Sequence, residues 1–566
     1  MFNDLKTAWT DSLYQDNQQP WNTYPRPQMR RENWMNLNGW WDFAVSDEQP
    51  CAYDRRILVP FCPECRLSGI GEHFREGIGL WYRRSFSLAG WDGLGRVLLH
   101  IGAADYETDL YINGHHAGHH VGGYEAMSFD ITPFLQNDNE IVVCVKDDLR
   151  SNVQPYGKQT LKRGGMWYTP VSGIWQTVWL EHVPEQYIRT LNIENRGNSV
   201  TIDLGDSELC GKVTVASVGE FLLEAGKVTI TPENPRLWSP EDPYLYEMII
   251  DAGEDSVCSY FALRHIETRT VNGIPRLCLN GKPYFFHGLL DQGYWSDGLL
   301  TPASPECYEY DVLTVKNLGF NMLRKHIKVE PEQFYYDCDR LGIVVFQDMV
   351  NNGDYNFFRD TALPTVGMQK LPDRHLHRDE ETRNAFSSGM VATVQQLKNH
   401  PSIVYWTIFN EGWGQFDSST MYDKLRTLDD TRYIDSTSGW FRCGKTDVES
   451  IHCYFKKYKF QKNEKPVVLS EFGGYSHAVE GHIFNTGKSY GYGSCPDLET
   501  LEQRVEAVYW DEIIPAAKLG LCASVYTQVS DVEDEINGVL TYDRRVVKLT
   551  AQRMLPIADA LQNAVR

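Results

Sequence analysis

Two glutamates stand at or near the ends of apolar, strand-like runs in the second half of the chain: Glu411 in Y-W-T-I-F-N-E-G-W and Glu471 in P-V-V-L-S-E-F-G-G. A carboxylate at the end of a buried run is costly unless it is matched or used. Two that face each other can cleave a glycosidic bond. One, protonated, donates to the leaving oxygen while the other, ionised, attacks the anomeric carbon, and a gap of about 5–5.5 Å gives retention through a covalent intermediate. The neighbours divide the roles. Phe409 and Trp413 favour a raised pKa and acid/base work for Glu411, whereas Gly473 and Gly474 allow close approach to Glu471 as nucleophile. Either glutamate alone reads more plainly as a strand-end ion pair; the two together point to catalysis.

The surrounding pattern supplies a frame that can hold them. After Pro275, eight strand candidates (YFFHGLL, NMLRKHI, GIVVFQD, IVYWTIFNE, RYIDSTSG, VESIHCY, PVVLSEFG and LCASVYTQ) alternate with helical segments such as DVLTVKNLG, EQFYYDCDRLG and VATVQQLKNH. This is the order and size of a (β/α)₈ TIM barrel, whose C-terminal strand ends carry the chemistry. Glu411 then ends the fourth strand and Glu471 lies on the seventh, facing each other across the mouth. Upstream, short alternating runs between Asn33 and Val183 (RVLLHIG, DLYINGHH, EIVVCVKD, IWQTVWLEHV) predict an all-β sandwich. KVTVASV, KVTIT, YLYEMIID and VCSYFALRHIE predict a second, shorter β-domain up to about Glu267.

Composition bounds the partners. The 566 residues exceed one hydrophobic core, and 42% hydrophobic with 23% charged residues is ordinary for a globular protein. A formal charge of −22 argues against a nucleic acid partner and fits a neutral or weakly charged substrate. The N-terminus lacks a basic stretch followed by an apolar one, and no run approaches a membrane span, so the expectation is a cytoplasmic protein without a membrane partner. Thirteen scattered cysteines form no disulfide framework, and Cys62-Pro63-Glu64-Cys65 has no second pair to make a zinc site.

At the two glutamates the sequence resembles glycoside hydrolase family 2, which holds β-galactosidases, β-glucuronidases and β-mannosidases. K-N-H-P-S-I-V-Y-W-T-I-F-N-E (Lys398–Glu411) looks like its acid/base signature and P-V-V-L-S-E-F-G (Pro466–Gly473) like its nucleophile strand. L-Y-I-N-G with Gly122-Gly123-Tyr124, and Tyr168–Glu181, are similar to the family's sugar-binding jelly roll. L-W-S-P-E-D-P-Y-L-Y (Leu237–Tyr246), F-A-L-R-H-I-E and L-N-G-K-P resemble its immunoglobulin-like domain and the entry to the barrel. The resemblance implies a jelly roll over 1–183, an immunoglobulin-like sandwich over 184–274 and a catalytic TIM barrel over 275–566. It implies a retaining exo-β-glycosidase with no organic cofactor, acting on a carbohydrate. It also implies that Asn410 binds the sugar 2-hydroxyl and that Asp109 and Asn113 lean toward the site.

The departures leave the sugar open. L-R-K-H-I-K-V-E-P replaces the common R-x-S-H-Y-P stretch, Asp348 in V-F-Q-D-M stands where many members have glutamate, and L-L-D-Q-G-Y-W replaces V-N-R-H-E. The N-x-K element of glucuronidases is not evident in E-I-N-G-V-L-T-Y-D-R-R. β-Galactoside, β-glucuronide or galacturonide, β-mannoside and arabinoside stay open, as do the oligomeric state and a carbohydrate-binding protein without turnover. Barrel-mouth position makes Asp291, Tyr294, Trp295, Arg324, Lys325, His326, Asp348, His452, Tyr454 and Gln528 candidate ring contacts. Lys456, Lys457 and Lys459 with Arg442 could read a uronate, although such a run is more often a solvated face. No metal is expected: the histidines between His115 and His120, and His375 with His377, lack a set of partner ligands. Asp531–Glu535 reads as a solvated rim.

Overall fold

The computed structural model describes residues 2–566 except 16–18, 89–90, 92–94, 206, 364–367 and 369–371. Its first part packs a four-stranded sheet (Trp34–Asn36, Val178–Val183, Arg96–Ile101, Met127–Asp130) against a six-stranded one (Arg55–Val59, Gly39–Ser46, Gly79–Phe86, Asn139–Lys146, Glu107–Ile112, His115–Val121). Alternation puts Phe43, Ile57, Leu99, Leu110, Val143 and Leu180 into one core between them. Smaller sheets of three and four strands between Asn192 and Phe261 pack around Val200, Val213, Ile250 and Val257, the second β-domain that the sequence pattern predicts. A hairpin, Ile266–Val271 with Ile274–Leu279, joins it to the barrel, where Tyr433 Oη meets the backbone of Cys278.

All eight predicted barrel strands form. We number them β1 (Phe286–Asp291), β2 (Met322–Lys325), β3 (Val344–Asp348), β4 (Ile403–Asn410), β5 (Tyr433–Ser438), β6 (Glu449–Cys453), β7 (Val467–Gly473) and β8 (Leu521–Thr527). Seven neighbouring pairs are hydrogen-bonded and parallel. At the eighth junction, between β5 and β6, Ser438 and Ser450 bring their Oγ atoms to 3.1 Å. Runs such as V-V-L-S and I-V-Y-W are buried on both faces, as parallel strands under a helical layer must be. Several outer helices carry local start and stop signals: Asp379 and Asp497 cap helix N-termini by accepting from the N–H of Thr382 and Thr500, and Gly342 ends Glu332–Leu341 in the left-handed region (φ 79°). Among the described residues no helix is long and apolar enough to cross a membrane.

One expectation fails. Asp531–Glu535 is no solvated rim: Asp531, Glu533, Asp534 and Glu535 are all buried. They hold the loop after β8 against the first β-domain. Arg163 pairs with Glu533 and Asp534 at 3.0 and 3.1 Å, Tyr168 Oη donates to Glu535 at 2.6 Å, and Lys548 neutralises Asp531. The run looks solvated in sequence because its cations and donors come from other parts of the chain.

Candidate active site

Glu411 follows the last residue of β4 and adopts a left-handed backbone conformation (φ 52°), uncommon for a residue with a side chain. Its N–H donates to Ser438 O at 2.8 Å, and Trp413 N–H closes back on Asn410 O at 2.9 Å. Gly412 (φ 79°) completes the turn, where a Cβ would stand 2.5 Å from Phe441. Glu471 lies on β7, between register shifts in its ladders with β6 and β8, a local irregularity of the kind that re-aims a side chain.

The two carboxylates meet at His452 on β6. Nδ1 lies 2.7 Å from Glu411 Oε1 and 3.4 Å from Glu471 Oε2, and the two glutamates and this imidazole offer atoms all within 4.8 Å of one another. Facing oxygens this close suit the short carboxyl separation of a double-displacement pair, about 5–5.5 Å, better than the gap of about 6.5–9.5 Å that inversion needs. Among the described residues this is also the one cluster close enough to hold a cation; the hydrogen bond between His452 and Glu411 and the 3.4 Å contact of His452 with Glu471 account for the convergence.

Environment separates the pair. Burial pushes the Glu411 carboxyl up to about 7, opposed only in part by the charges of Lys158 and Arg324. Its side-chain partner is an imidazole that burial holds neutral, pulled down to about 4. Burial raises Glu471 as well, but Arg324 Nη1 stands 3.1 Å from Oε1 and Tyr454 Oη donates to Oε2, so the ionised form has direct donors. Arg324 is the hub. Its Nε and Nη2 grip Asp348 at 3.0 Å each, Nη2 also donates to Asn410 Oδ1 at 2.9 Å, and Nη1 also donates to Ser470 O at 3.1 Å. Burial pushes Asp348 up, yet Arg324 and His326 outweigh it and hold the carboxyl below its ordinary value. With its Oδ1 taken, Asn410 leaves Nδ2 buried without a partner among the described residues.

Of the residues singled out in the sequence, Asn410, Arg324, His326, Asp348, His452 and Tyr454 therefore join Glu411 and Glu471 in one network. Others do not reach it. Lys325 points behind the strands into an ion pair with Asp291 (2.6 Å) and Glu330 (2.8 Å), because side chains alternate along β2 and Arg324 takes the inward position. Tyr294 and Trp295 turn away after Gly293 and pack on Tyr168 and Tyr308. Gln528 is tied to Asn537 at 2.8 Å. Asp109 stays on its own sheet, accepting from His116 and His119, and Asn113 (φ 50°) makes the Asn-Gly turn of that hairpin. Arg442 pairs with Glu449, and Lys456, Lys457 and Lys459 are exposed.

The structure adds residues that the sequence reading passes over. Tyr492 stacks on Tyr454 (3.9 Å, 12°), and Trp167 and Tyr355 crowd Trp413. Trp167 and Lys158 come from the first β-domain, on a loop wedged against the barrel: a Cβ on Gly157 would stand 2.9 Å from Ile327 O. The glycine in Y-G-K was the one signal of that close approach.

Comparison with known proteins covers all three parts of the chain. Residues 75–184 match the sugar binding domain of glycosyl hydrolases family 2, 187–264 match the model described as glycosyl hydrolases family 2, and 273–485 match that family's TIM barrel domain. A β-glucuronidase of Bacteroides fragilis is 24% identical over 518 residues, 84% of this chain and 71% of the relative. A β-galactosidase of Aeromonas hydrophila is 28% identical over 413 residues, 65% of this chain and 36% of the relative. The chain spans about half (52%) of a further relative from Formosa agariphila. In fold it is similar to a β-glucuronidase from an uncultured Clostridium sp., with a TM-score of 0.71 at 18% identity over 95% of this chain and 99% of that one. With three successive domains matching the models of one family, this chain belongs to glycoside hydrolase family 2.

Proposed function

We propose that the protein is a retaining exo-β-glycosidase that releases a terminal non-reducing sugar, a galactose-type or uronic acid residue, by double displacement. The observation that carries this reading is the Glu411–His452–Glu471 convergence, with one carboxyl biased toward the proton and the other supplied with donors. Glu471 attacks the anomeric carbon while Glu411 protonates the leaving oxygen; Glu411, now ionised, draws a proton from a water that attacks the anomeric carbon, breaking the ester bond to Glu471 and releasing the sugar. The free Nδ2 of Asn410 suits the 2-hydroxyl, whose contact strengthens in the transition state. A role as a binding protein without turnover fits poorly with an intact pair. Thirteen cysteines, none in a disulfide, suit a cytoplasmic setting, which is part of the same proposal.

Stereochemistry tests the reading. Proton NMR of an early reaction mixture with an aryl β-glycoside is expected to show the β-anomer of the freed sugar before mutarotation. Initial α-sugar would mean inversion and would sink the pairing.

The pH profile follows from the same groups. The first step needs Glu411 protonated, so kcat/KM falls as pH rises through about 7. It needs Glu471 ionised, so the rate also falls as pH drops through that group's own raised value. In Glu411→Gln, assayed with a good leaving group, the alkaline limb near 7 should vanish. A limb that persists there belongs to another group.

A further inference from the structure

Four lysines are buried among the described residues, and three are matched: Lys325 to Asp291 at 2.6 Å, Lys328 to Glu330 at 2.8 Å and Lys548 to Asp531 at 2.6 Å. Lys158 is different. It is 5% exposed, and its ammonium has no hydrogen-bond acceptor among the described residues. Its Nζ stands 4.5 Å from the centre of the Trp413 ring and 5.6 Å from that of Trp167, so aromatic faces hold the cation without neutralising it. The charge is directed at the site: it bears on Glu411, Glu471 and Glu535. Glu535 does not pair with it, being bonded to Tyr168 at 2.6 Å and to Asn537 at 3.0 Å. The loop is fixed as well, with Tyr168 N–H donating to Lys158 O at 3.0 Å and Tyr156 N–H to Asn351 O at 3.0 Å.

A buried ammonium without an acceptor is expensive, and what it lacks, with Glu535, Glu471 and Glu411 acting on it only from beyond hydrogen-bond reach, is a lone pair and a negative charge in direct contact. A sugar hydroxyl brings the first only. A carboxylate on the ring brings both, in a charge-assisted hydrogen bond. The exposed Lys456 and Lys457 have water and need no such partner. We propose that Lys158, delivered to the barrel mouth by the first β-domain, reads a carboxylate on the sugar ring and makes β-uronides the substrate class. This rests on the double-displacement reading above.

The test compares kcat/KM for 4-nitrophenyl β-D-glucuronide and β-D-galacturonide with their neutral counterparts, the glucoside and galactoside. The wild type is expected to prefer one uronide over its neutral partner by roughly 10- to 100-fold, the range of a hydrogen bond to a charged group. Lys158→Met, which keeps length and apolar stem, should erase that preference by lowering the uronide rate far more than the neutral one; Lys158→Arg should keep part of it. Inhibition by free glucuronate or galacturonate should weaken in Lys158→Met to the level of glucose or galactose. A wild type that hydrolyses neutral hexosides better than uronides overturns the assignment and leaves the double-displacement reading standing. So does a Lys158→Met that loses both activities equally while melting like wild type. If no glycoside is hydrolysed at all, the underlying reading falls and this proposal falls with it.

Discussion

Glu471→Ala is expected to lose turnover of every glycoside by roughly 10⁴-fold or more, because the step that forms the covalent intermediate has no other nucleophile. Tyr454 and Arg324 would stay in place, but a guanidinium does not attack carbon and burial keeps the Tyr454 phenol protonated. Azide could enter only the space that the carboxylate vacates beneath the ring, and would give the α-glycosyl azide if it reacts. A Glu471→Ala enzyme with near wild-type kcat on an aryl glycoside would show that the nucleophile lies elsewhere.

Glu411→Ala should fail differently. Substrates with good leaving groups need little protonation and still form the glycosyl-enzyme, whose hydrolysis is then slow, by roughly 10²- to 10⁴-fold, for want of a base. Added azide, which needs no base, should restore turnover and yield the β-glycosyl azide. The absence of rescue, or an α-azide product, would exchange the two roles. The asymmetry is built into the site: Glu411 meets a neutral imidazole, and Glu471 meets a guanidinium and a phenol.

The barrel was legible because its strands are continuous apolar runs bounded by helix signals, and the two glutamates because their position in those runs fixes their place on the ring. Asn410, Arg324 and Asp348 were legible for the same reason, all lying at strand ends with side chains turned inward. Lys325 was not, since position at a strand end does not say which way alternation points a given residue. Tyr294 and Trp295 lie past a turn, where period no longer constrains direction. Contacts between domains were hidden altogether. Tyr168 meets Glu535 across 367 residues of sequence, and nothing local marks either residue as buried. Lys158 belongs to the same class. A lone lysine in a loop reads as solvated, and only the folded structure shows it set against two tryptophan rings.

The most direct test is mass spectrometry of the wild type inactivated with an activated 2-deoxy-2-fluoro β-glycoside, with the neutral sugar and the uronic acid tried in parallel. The fluorine slows both steps and a good leaving group restores the first, so the covalent glycosyl-enzyme should accumulate. The label is expected on the peptide that contains Glu471, and it should be absent from Glu471→Ala treated in the same way. A label on Glu411, or turnover without any covalent adduct, would contradict the assignment of the two glutamates.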